Sequence, residues 1–598
     1  MKFADRLCDE LLGLGYTHCF FVAGGNIMHL VESSRTRFRM VPVIHEVSAV
    51  IGAEYFNETS QDVRAFALVT AGPGLTNAMT GIAGAWLESR EVLIIGGQVK
   101  SGDLASAPLR QKGIQEIDGV SLCESITKAS IRIESPVSMS EVRGTIEAGT
   151  RGRPGPVFME ICLDAQAAPA LHDDDAGTGV GSATESHTVA PLASPEWATA
   201  VAALQAAERP LLLIGGGVDR RTAKNIRARL EALGIPVALT WNAFDRLPSD
   251  SAVYAGRPNT WGMRWSNIVI QQCDVLFAVG TRLGLQQTGF AWEHFAPLAR
   301  IAHVDIDDAE LRKGHPRVDW RIQCDANEAV STLLNQLRPS RSWSAWRDFV
   351  SMVRQELPVV EASNFTDHSG LVPQKFVAEL ARLASPSDVL IPCSSGGAET
   401  VAMQVFANQD GQIVVSDSAL ASMGYGLAGA IGASLAHPQR RVILTEGDGG
   451  FAQNLQELGT VKVNDLNLKM FIMSNKGYAS IRMTQSNYFK GAYVGCDTST
   501  GLGVPNLERL AAVWDIPFVR LSESWSQDAV FGEVFDRAGP VLFEVPVPQE
   551  QPYWPKIGSW VGPNGSMTSA PLHLMSPDLD DATARKVMPY LAERGGTQ

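Results

Sequence analysis

Short apolar runs alternate with longer amphipathic stretches along most of the chain. The first 165 residues contain CFFVAG, FALVT, VLIIGG and VFMEIC, and a later stretch contains PLLLIGGGV, IPVALT, DVLFAVGTRL and RIAHVDID. Short apolar runs bounded by glycines are typical of buried parallel strands, and the amphipathic stretches between them are typical of helices. The pattern predicts an α/β protein with three Rossmann-like parallel-sheet domains.

Changes in this pattern divide the chain into domains and linkers. One stretch is rich in Ala, Gly, Ser and Asp without apolar periodicity, which favours an exposed linker. A second linker carries the tryptophans of SRSWSAWRDF, which we expect to pack one domain on another, and the irregular C-terminal tail is expected to cap the active site. The predicted order is domain 1–165, linker 166–190, domain 191–338, linker 339–370, domain 371–550 and tail 551–598.

The most informative stretch runs from 441 to 485. An apolar run ends at Gly447, a helical segment follows, and a second apolar run stops at Ser474. A strand–helix–strand order places both loops at the carboxyl ends of parallel strands, where open α/β sheets bind ligands. Gly449 and Gly450 continue the first loop, and such glycines let the backbone approach a phosphate at the start of a helix.

Two hard oxygen ligands lie in these loops. Asp448 and Asn475 stand 27 positions apart (475 − 448), and the carbonyl of Gly477 is a third candidate. Mg²⁺ prefers oxygen ligands and often combines one or two protein groups with substrate phosphates. A GDGG sequence alone is equally typical of a surface turn, so the prediction of a magnesium site depends on the spacing of the two loops.

Composition limits the functional class. The 598 residues are 45% hydrophobic and 19% charged, as in ordinary soluble multidomain proteins. A net charge of −14 without any basic run argues against nucleic-acid binding. Eight scattered cysteines without metal-type spacing suggest reduced, buried thiols, and neither a signal peptide nor a membrane span is recognisable. We therefore expect a cytoplasmic protein with small-molecule partners.

The first and second α/β stretches carry further strand-end loops. A carboxylate, Glu46, lies where HEVSAVIGAEYF enters a helix; it is either a first-turn acid that complements the helix dipole or a partly buried, paired group. Acids at the end of RIAHVDID are placed where ribose hydroxyls bind, although a purely structural Rossmann-like domain explains them equally well. The loops are Gly24-Gly25, Gly72-Pro73-Gly74 and Gly96-Gly97 in the first stretch, and Gly215 to Gly217 and Gly280-Thr281-Arg282 in the second.

The GDGG-to-Asn arrangement resembles the diphosphate-binding motif of thiamine diphosphate (ThDP) enzymes. That motif usually ends in Asn-Asn, and Ser474 replaces the first Asn here. The segment QEID and the segment GRPGPV resemble acetolactate synthases, and the match extends from AGGNIMHL to PLHLMSP. Within that branch, LRQKGIQEID, TWNAFDRLPSD, GRPNTWG, QTGFAWE and YVGCDTSTGLGVP are most similar to the enzymes that attach a pyruvate-derived acetyl unit to nucleotide-bound 4-keto-deoxy sugars.

The resemblance implies roles for individual residues. Glu46 would be the catalytic glutamate that hydrogen-bonds the aminopyrimidine ring, although Tyr55 stands where the family usually has glycine. Gln115 would lie near the thiazolium and the substrate, and Met423 would hold the cofactor in its bent shape, unless it is an ordinary core methionine. Gly24 and Gly25 complete the implied catalytic set, and the implied ThDP ligands are Gly72, Pro73, Gly74, Asn77, Met423, Gly447, Asp448, Gly449, Gly450, Asn475, Gly477, Tyr478, Ala479 and Ile481, with Asp448, Asn475 and Gly477 on the metal.

The resemblance also implies FAD in the central domain. GTRLG lacks the acid that often follows this arginine in the family, so the flavin prediction is less well supported than the ThDP prediction. The implied flavin residues are Arg153, Gly215, Gly216, Gly217, Gly280, Thr281, Arg282, Asp305, Asp307 and Asp325.

The implied activity is ThDP-dependent decarboxylation of pyruvate and carboligation of the acetyl unit to a carbonyl acceptor, and the segment similarities favour a nucleotide-linked 4-keto-deoxy sugar as that acceptor. The alternatives are acetolactate synthase itself, another ThDP-dependent lyase or decarboxylase, and a non-catalytic scaffold. Retention of Glu46, Asp448 and Asn475 together disfavours the scaffold. Because the first and third domains meet across a subunit interface in this family, a homodimer or homotetramer is expected.

Overall fold

The computed structural model describes residues 1–60, 62–171, 192–365, 369–562 and 565–592. Three separate sheets, all of parallel strands, succeed one another along the chain. The predicted fold class of three parallel-sheet α/β domains is therefore confirmed. None of the helices in these ranges combines the length and the apolar composition that a bilayer crossing requires.

The first domain is a six-stranded sheet in the order β2-β1-β3-β4-β6-β5. The inner strands β3, β4 and β6 are almost entirely buried because helices cover both faces, as the continuous apolar runs predict, whereas the edge strands β2 and β5 are mostly half-buried or exposed. The strands are β1 Tyr16–Phe21, β2 Arg39–Pro42, β3 Arg64–Val69, β4 Leu93–Gln98, β5 Ala129–Ile133 and β6 Val157–Cys162; the helices are α1 Phe3–Gly13, α2 Met28–Ser34, α3 Glu46–Thr59, α4 Pro73–Glu88, α5 Gly119–Cys123, α6 Met139–Ala148 and α7 Leu163–Ala167.

The central domain has five strands in the order β11-β10-β9-β7-β8. The predicted linker 166–190 begins within α7 of the first domain, and its residues from 172 onward lie outside the described residues. The strands are β7 Pro210–Ile214, β8 Val237–Leu239, β9 Val275–Val279, β10 Arg300–Asp305 and β11 Trp320–Gln323; the helices are α8 Pro195–Ala206, α9 Arg220–Leu233, α10 Arg264–Gln272, α11 Leu285–Thr288, α12 Asp308–Arg312, α13 Ala326–Gln336 and α14 Arg341–Glu356.

Helix α14 corrects the interpretation of 339–370 as a linker. Trp343 and Trp346 are buried against the central domain, where their indole N–H groups donate to the carbonyls of Ala207 and Pro210. Trp343, Trp346, Val350 and Val353 recur at helical spacing, so one face of α14 joins the central core. The tryptophans therefore extend one domain and do not bridge two.

The third domain has six strands in the order β13-β12-β14-β15-β17-β16, with β14 beside β15. The helix predicted after Gly447 is broken into two short pieces, α18 and α19, with a 3₁₀ turn between them. The strands are β12 Val389–Ile391, β13 Ile413–Val414, β14 Val442–Gly447, β15 Leu468–Ser474, β16 Phe518–Arg520 and β17 Val541–Pro546; the helices are α15 Pro373–Leu383, α16 Gly396–Val405, α17 Tyr425–Ala436, α18 Asp448–Phe451, α19 Leu458–Val463, α20 Ala479–Phe489, α21 Leu507–Val513 and α22 Ala529–Asp536.

The first and third domains share one continuous apolar core through helices α3 and α17. The tail returns to the central domain, where Ile557, Leu572 and Met575 join its core. All eight cysteines are buried free thiols, as expected. The tail elements are β18 Lys556–Ile557 paired with β21 Met575–Ser576, β19 Ser559–Val561 paired with β20 Met567–Ser569, and helices α23 Asp581–Val587 and α24 Pro589–Ala592.

Candidate active site

The two loops predicted to bind a metal lie side by side at the carboxyl edge of the third sheet. Asp448 directly follows β14 and Asn475 directly follows β15, and both side chains are buried. The N–H of Lys476 donates to Asp448 Oδ2 at 2.7 Å. The other carboxylate oxygen, Oδ1, and the amide Oδ1 of Asn475 are buried without any hydrogen-bond partner among the described residues.

Two such orphaned oxygens on facing loops suit a cation. Buried polar atoms nearly always have a partner, so their absence here indicates that something outside the chain supplies one. Burial raises the pKa of Asp448 to about 6, although backbone N–H groups partly counteract it. A divalent cation would favour the ionised form. The oxygen-only donor set fits Mg²⁺.

Gly477 and Gly449 complete this edge of the sheet. Gly477 has a φ of +145°, and a side chain there would overlap the carbonyl of Cys496. Its own carbonyl oxygen lies next to Gly449, whose missing Cβ also makes room for the ring of Tyr478. The candidate third metal oxygen therefore faces the GDG loop.

A third loop, which the sequence analysis missed, meets the same edge. Strand β12 ends at Ile391, and the Ser394–Ser395 segment leads from it into helix α16. This helix begins at Gly396, whose Cβ position lies 3.9 Å from Ser480 Oγ on α20. The long helices α16 and α20 thus bring their N-terminal N–H groups together, as diphosphate binding requires. The signal that would have found this loop is the Ser-Ser-Gly-Gly sequence after the apolar run VLIPC.

Tyr553 from the tail closes this side of the site. Its hydroxyl accepts a hydrogen bond from Asn475 Nδ2 at 3.3 Å, and its ring packs where a side chain on Gly397 would lie. Burial raises the pKa of Tyr553 to about 12, so the hydroxyl stays protonated. Tyr553 fixes the amide of Asn475 so that its oxygen is left for another ligand.

Met423 precedes helix α17 and does not belong to the core. Its side chain is 39% exposed, which excludes the interpretation as an ordinary core methionine. Gln453 Nε2 donates to its Sδ at 3.6 Å, and Gly424 turns the chain with a φ of 84°. Ile481 on α20 is likewise exposed, by 45%. Both side chains present apolar surface that nothing in the described chain covers.

Glu46 begins helix α3 of the first domain. Its Oε2 accepts a hydrogen bond from Asn77 Nδ2 at 3.0 Å, which brings two of the predicted site residues together. The preceding backbone is held by the third domain, because the N–H groups of Ile44 and His45 donate to the Glu457 carboxylate at 3.1 and 3.0 Å. Glu457 had no signal in the sequence, since it lies 411 positions from Glu46 (457 − 46).

The first-domain glycine loops surround the same end of its sheet. Gly72 has a φ of +64° and begins α4 before Pro73, and its Cβ position would touch the carbonyl of Gln115. Gly24 and Gly74 both pack against Thr70. The Gln115 loop thus meets the Gly72 loop, as the resemblance implies.

Within the described residues, no hydrogen bond joins this first-domain cluster to Asp448 or Asn475. The chain therefore presents two half-sites: Glu46 with its neighbours, and the metal-type loops of the third domain.

Comparison with known proteins identifies the family. Three domain models of thiamine pyrophosphate enzymes match: the N-terminal TPP-binding domain over residues 1–122, the central domain over 197–333 and the C-terminal TPP-binding domain over 394–545. The acetolactate synthase isozyme 2 large subunit of Escherichia coli (strain K12) is 30% identical over 513 residues, covering 85% of this chain and 88% of that protein. The chain belongs to the acetolactate synthase-like thiamine diphosphate enzymes.

Other relatives agree. The isozyme 1 large subunit of the same organism is 29% identical over 90% of this chain and 92% of its own length, and the acetolactate synthase large subunit of Porphyra purpurea is 28% identical over 92% of each. The prediction of a ThDP-dependent enzyme is confirmed. The two half-sites lie in the two domains that match TPP-binding models.

A cavity of about 490 Å³ lies between the central domain and the first and third domains. That volume lies within the usual range for small-molecule sites. The first domain contributes Glu88 and Arg153, and the third contributes Ser418. Of the predicted flavin residues, the cavity is lined by Arg153, Gly216, Gly217, Gly280, Thr281, Arg282, Asp305 and Asp325, whereas Gly215 and Asp307 are not part of its described lining.

Several of these residues already have structural partners. The N–H groups of Gly215 and Gly217 donate to the carbonyls of Val279 and Gly280 at 2.9 Å, because the two glycine loops pack directly on each other. These two N–H groups are therefore engaged within the chain, and the assignment of the Gly215 to Gly217 loop to FAD stays a prediction. Asp325 caps the N-terminus of α13.

The acids at the end of β10 behave differently from each other. Asp307 caps α12 and pairs with Arg153 at 2.9 Å, which ties the central domain to the first. Asp305 lines the cavity, and burial raises its pKa to about 6. Asp305 therefore remains the acid placed to meet a ligand hydroxyl.

Proposed function

We propose that this enzyme decarboxylates pyruvate and transfers the acetyl unit to a nucleotide-linked 4-keto-deoxy sugar. The observation that carries the choice of acceptor is the open approach to Gln115. Residues 106–112 are all exposed, and Arg110 makes no hydrogen bond or ion pair within the described chain. A wide entrance with a free cation suits a bulky anionic acceptor better than a second small keto acid.

The loop that carries Gln115 is open but ordered. The Glu116 carboxylate accepts N–H groups from Ala105, Lys112 and Gly113 at 2.5 to 2.9 Å, which folds the loop back on itself. Gln115 itself is held with a φ of +63° against Gly72. A preformed loop of this kind fixes the side chains that meet the acceptor.

Different residues of the chain would bind the metal, bind the diphosphate and transfer the proton. Asp448, Asn475 and the Gly477 carbonyl would hold Mg²⁺, and the starts of α16 and α20 would hold the diphosphate of the cofactor. Thiamine diphosphate, when bound, supplies the electron sink that stabilises the carbanion left by decarboxylation. Glu46, oriented by Asn77, would hold a proton at the pyrimidine ring and pass it in general acid–base fashion.

Acetolactate synthesis is the second candidate function, and the names of the relatives favour it. It requires a cation inside a narrow site for the carboxylate of the second keto acid. We therefore propose acetolactate only as a slow or side product.

Paired incubations test the acceptor. Holoenzyme is incubated with pyruvate, with and without a nucleotide-linked 4-keto-6-deoxyhexose, and the products are analysed by mass spectrometry. We expect a two-carbon branched sugar only in the complete mixture, with faster CO₂ release there than from pyruvate alone. Rapid acetolactate formation without any sugar adduct would establish the synthase instead.

A further inference from the structure

Lys556 lies near the start of the tail, and three hydrogen bonds fix the backbone of the two residues before it. The carbonyl of Trp554 accepts two hydrogen bonds, at 2.9 and 3.1 Å, and the carbonyl of Pro555 accepts one at 3.0 Å. Lys556 itself begins β18, which pairs with β21. The donors are the buried amides of Asn364, Gln374 and Gln404.

The ammonium group of Lys556 lacks a counter-ion. Its Nζ lies 5.0 Å from the ring centroid of Trp261 and 5.3 Å from that of Trp554. Its polar contact is with Met483 Sδ, at 2.8 Å. No carboxylate of the described chain forms an ion pair with it, and burial alone lowers its pKa to about 8.

This environment leaves the cation only partly satisfied. Two aromatic faces attract an ammonium group and offset part of its lost hydration. The hydrogen-bond acceptor recorded for this ammonium group is nevertheless a thioether, which is a weak one. Because burying a charge without a partner is costly, a rigidly held unpaired lysine indicates a missing anion.

Lys556 borders the third-domain half-site. Met483 lies on α20 one turn after Ser480, which faces Gly396. Tyr553, three residues before Lys556, hydrogen-bonds Asn475. The ammonium group of Lys556 therefore points toward α20, the helix that follows the Asn475 loop. Neither Lys556 nor Met483 is among the residues assigned to the cofactor.

We propose that Lys556, caged by Trp261 and Trp554, is an anion subsite that binds a negatively charged group of the acceptor. The identity of that group rests on the proposed function: for a nucleotide-linked sugar it is the diphosphate. The carboxylate of a second keto acid offers the same chemistry from another source. The subsite makes Lys556 a specificity-determining residue for the second substrate.

The test is a binding titration with UDP and dTDP as probes on the ThDP- and Mg²⁺-loaded enzyme, without pyruvate. We expect Lys556→Met to weaken binding by at least about tenfold, equivalent to about 1.4 kcal/mol. Lys556→Arg keeps the charge and should retain most of the affinity. The matched control is Lys375→Met on the exposed face of α15, where Nζ lies 3.9 Å from Glu379, and it should bind like wild type.

Turnover with pyruvate alone separates failure of the subsite from failure of the proposed acceptor. Equal nucleotide binding by wild type and Lys556→Met overturns the subsite. If wild type binds neither nucleotide, a higher KM for acetolactate formation in Lys556→Met supports an anion subsite for the keto-acid carboxylate and overturns the nucleotide-linked acceptor. An unchanged KM in that case overturns the subsite as well. Should Lys556→Met fold poorly, Lys556→Gln removes the charge but keeps a polar side chain, and it should show the same loss of binding.

Discussion

At Asp448 and Asn475, the evidence for a metal site lies in individual atoms. Each side chain is buried and uses one polar atom inside the chain, Oδ2 with Lys476 and Nδ2 with Tyr553, while the other oxygen stays unpaired. Leaving such atoms unpaired costs about 1–3 kcal/mol each. A bound cation would offset this cost, so cofactor binding and stability should be coupled at these two residues.

Asp448→Asn tests this coupling. The folded pKa of about 6 exceeds the ordinary aspartate value of 3.8, so the cofactor-free protein loses stability as pH rises from about 4 to 6. Removing the charge should raise its free energy of unfolding at pH 7 by on the order of 2 kcal/mol, with no gain near pH 4. Chemical denaturation of cofactor-free wild type and variant measures this difference.

The same variant should no longer retain ThDP with Mg²⁺. In wild type, metal affinity should fall about tenfold per pH unit below 6, since protonation competes with the metal. Asp103→Asn, at an exposed residue, is the control and should change neither property. Stoichiometric ThDP in purified Asp448→Asn would show that Asp448 is not a metal ligand.

Glu46→Gln tests the first-domain half-site. The amide can still hydrogen-bond a ring nitrogen, so ThDP binding should persist, but exchange of the cofactor's C2 proton should slow by at least about 10²-fold because the acid–base group is lost. Proton NMR after acid quench measures the exchange. Glu32→Gln, whose carboxylate only pairs with Arg35 on the surface, serves as the control. Near-normal exchange in Glu46→Gln would remove the assigned role.

Sequence spacing predicted some of these residues and not others, for a physical reason. Asp448 and Asn475 were predictable because both follow apolar runs, and strand ends meet at one edge of a parallel sheet. Glu457 and Tyr553 were not, because their contacts with His45 and Asn475 join parts of the chain that no local pattern relates.

At the scale of elements, the junction of α3 and α17 determines how the first and third domains meet. A side chain on Gly432 would overlap the carbonyl of Gly52, and one on Gly429 would overlap the ring of Tyr55. The two helices therefore approach at backbone distance. The Gly/Ala-rich composition of α17 suits such close packing, but composition does not state which helix packs against it.

Gly432→Ala should destabilise the protein by about 1–3 kcal/mol, since the added methyl group meets backbone that can move only with the whole helix. Thermal or chemical unfolding measures the loss. Gly144→Ala in α6 is the matched control: its Cβ position is open, so the substitution should stabilise by about 0.5–1 kcal/mol. Equal effects at the two positions would show that the helices can separate at little cost.

Helix α14 differs, because its sequence was sufficient to predict the element itself. Its apolar residues recur at helical spacing, so the sequence carried enough information to predict the helix. The interpretation as a linker followed from position alone, between two α/β patterns. What the spacing cannot give is the domain on which the helix packs.

At the scale of the whole molecule, residues of all three domains line the central cavity, so the predicted flavin binding would depend on how the domains are arranged. We expect the purified protein to be yellow, with flavin absorbance bands. Asp305→Asn should weaken FAD retention by about tenfold through loss of a charged hydrogen bond. Asp308→Asn, whose side chain pairs with Arg312 on the surface, should not. A colourless protein that takes up no added FAD would leave the cavity without this ligand.

The assembly of the active site also concerns the whole molecule. The chain holds its two half-sites without a hydrogen bond between Glu46 and the Asp448 loop. Exposed Met423 and Ile481 beside the third-domain half-site are the surfaces that a partner chain would cover. If each site takes Glu46 from one chain and Asp448 from the other, inactive Glu46→Gln and Asp448→Ala variants should complement each other.

In such a mixed dimer one site carries both substitutions and the other carries neither. Random reassociation makes half of the dimers mixed, so the unfractionated mixture should regain about a quarter of the wild-type activity per site, and the purified mixed dimer about half. Co-expression of two differently tagged variants, tandem purification and a pyruvate decarboxylation assay measure this recovery, and each variant alone gives the baseline. Sites formed within one chain cannot be repaired in this way, because every chain in the mixture carries one of the two substitutions. Absence of recovery in a purified mixed dimer would therefore place the complete site in a single chain, with Ile44 and His45 already held against the third domain by Glu457.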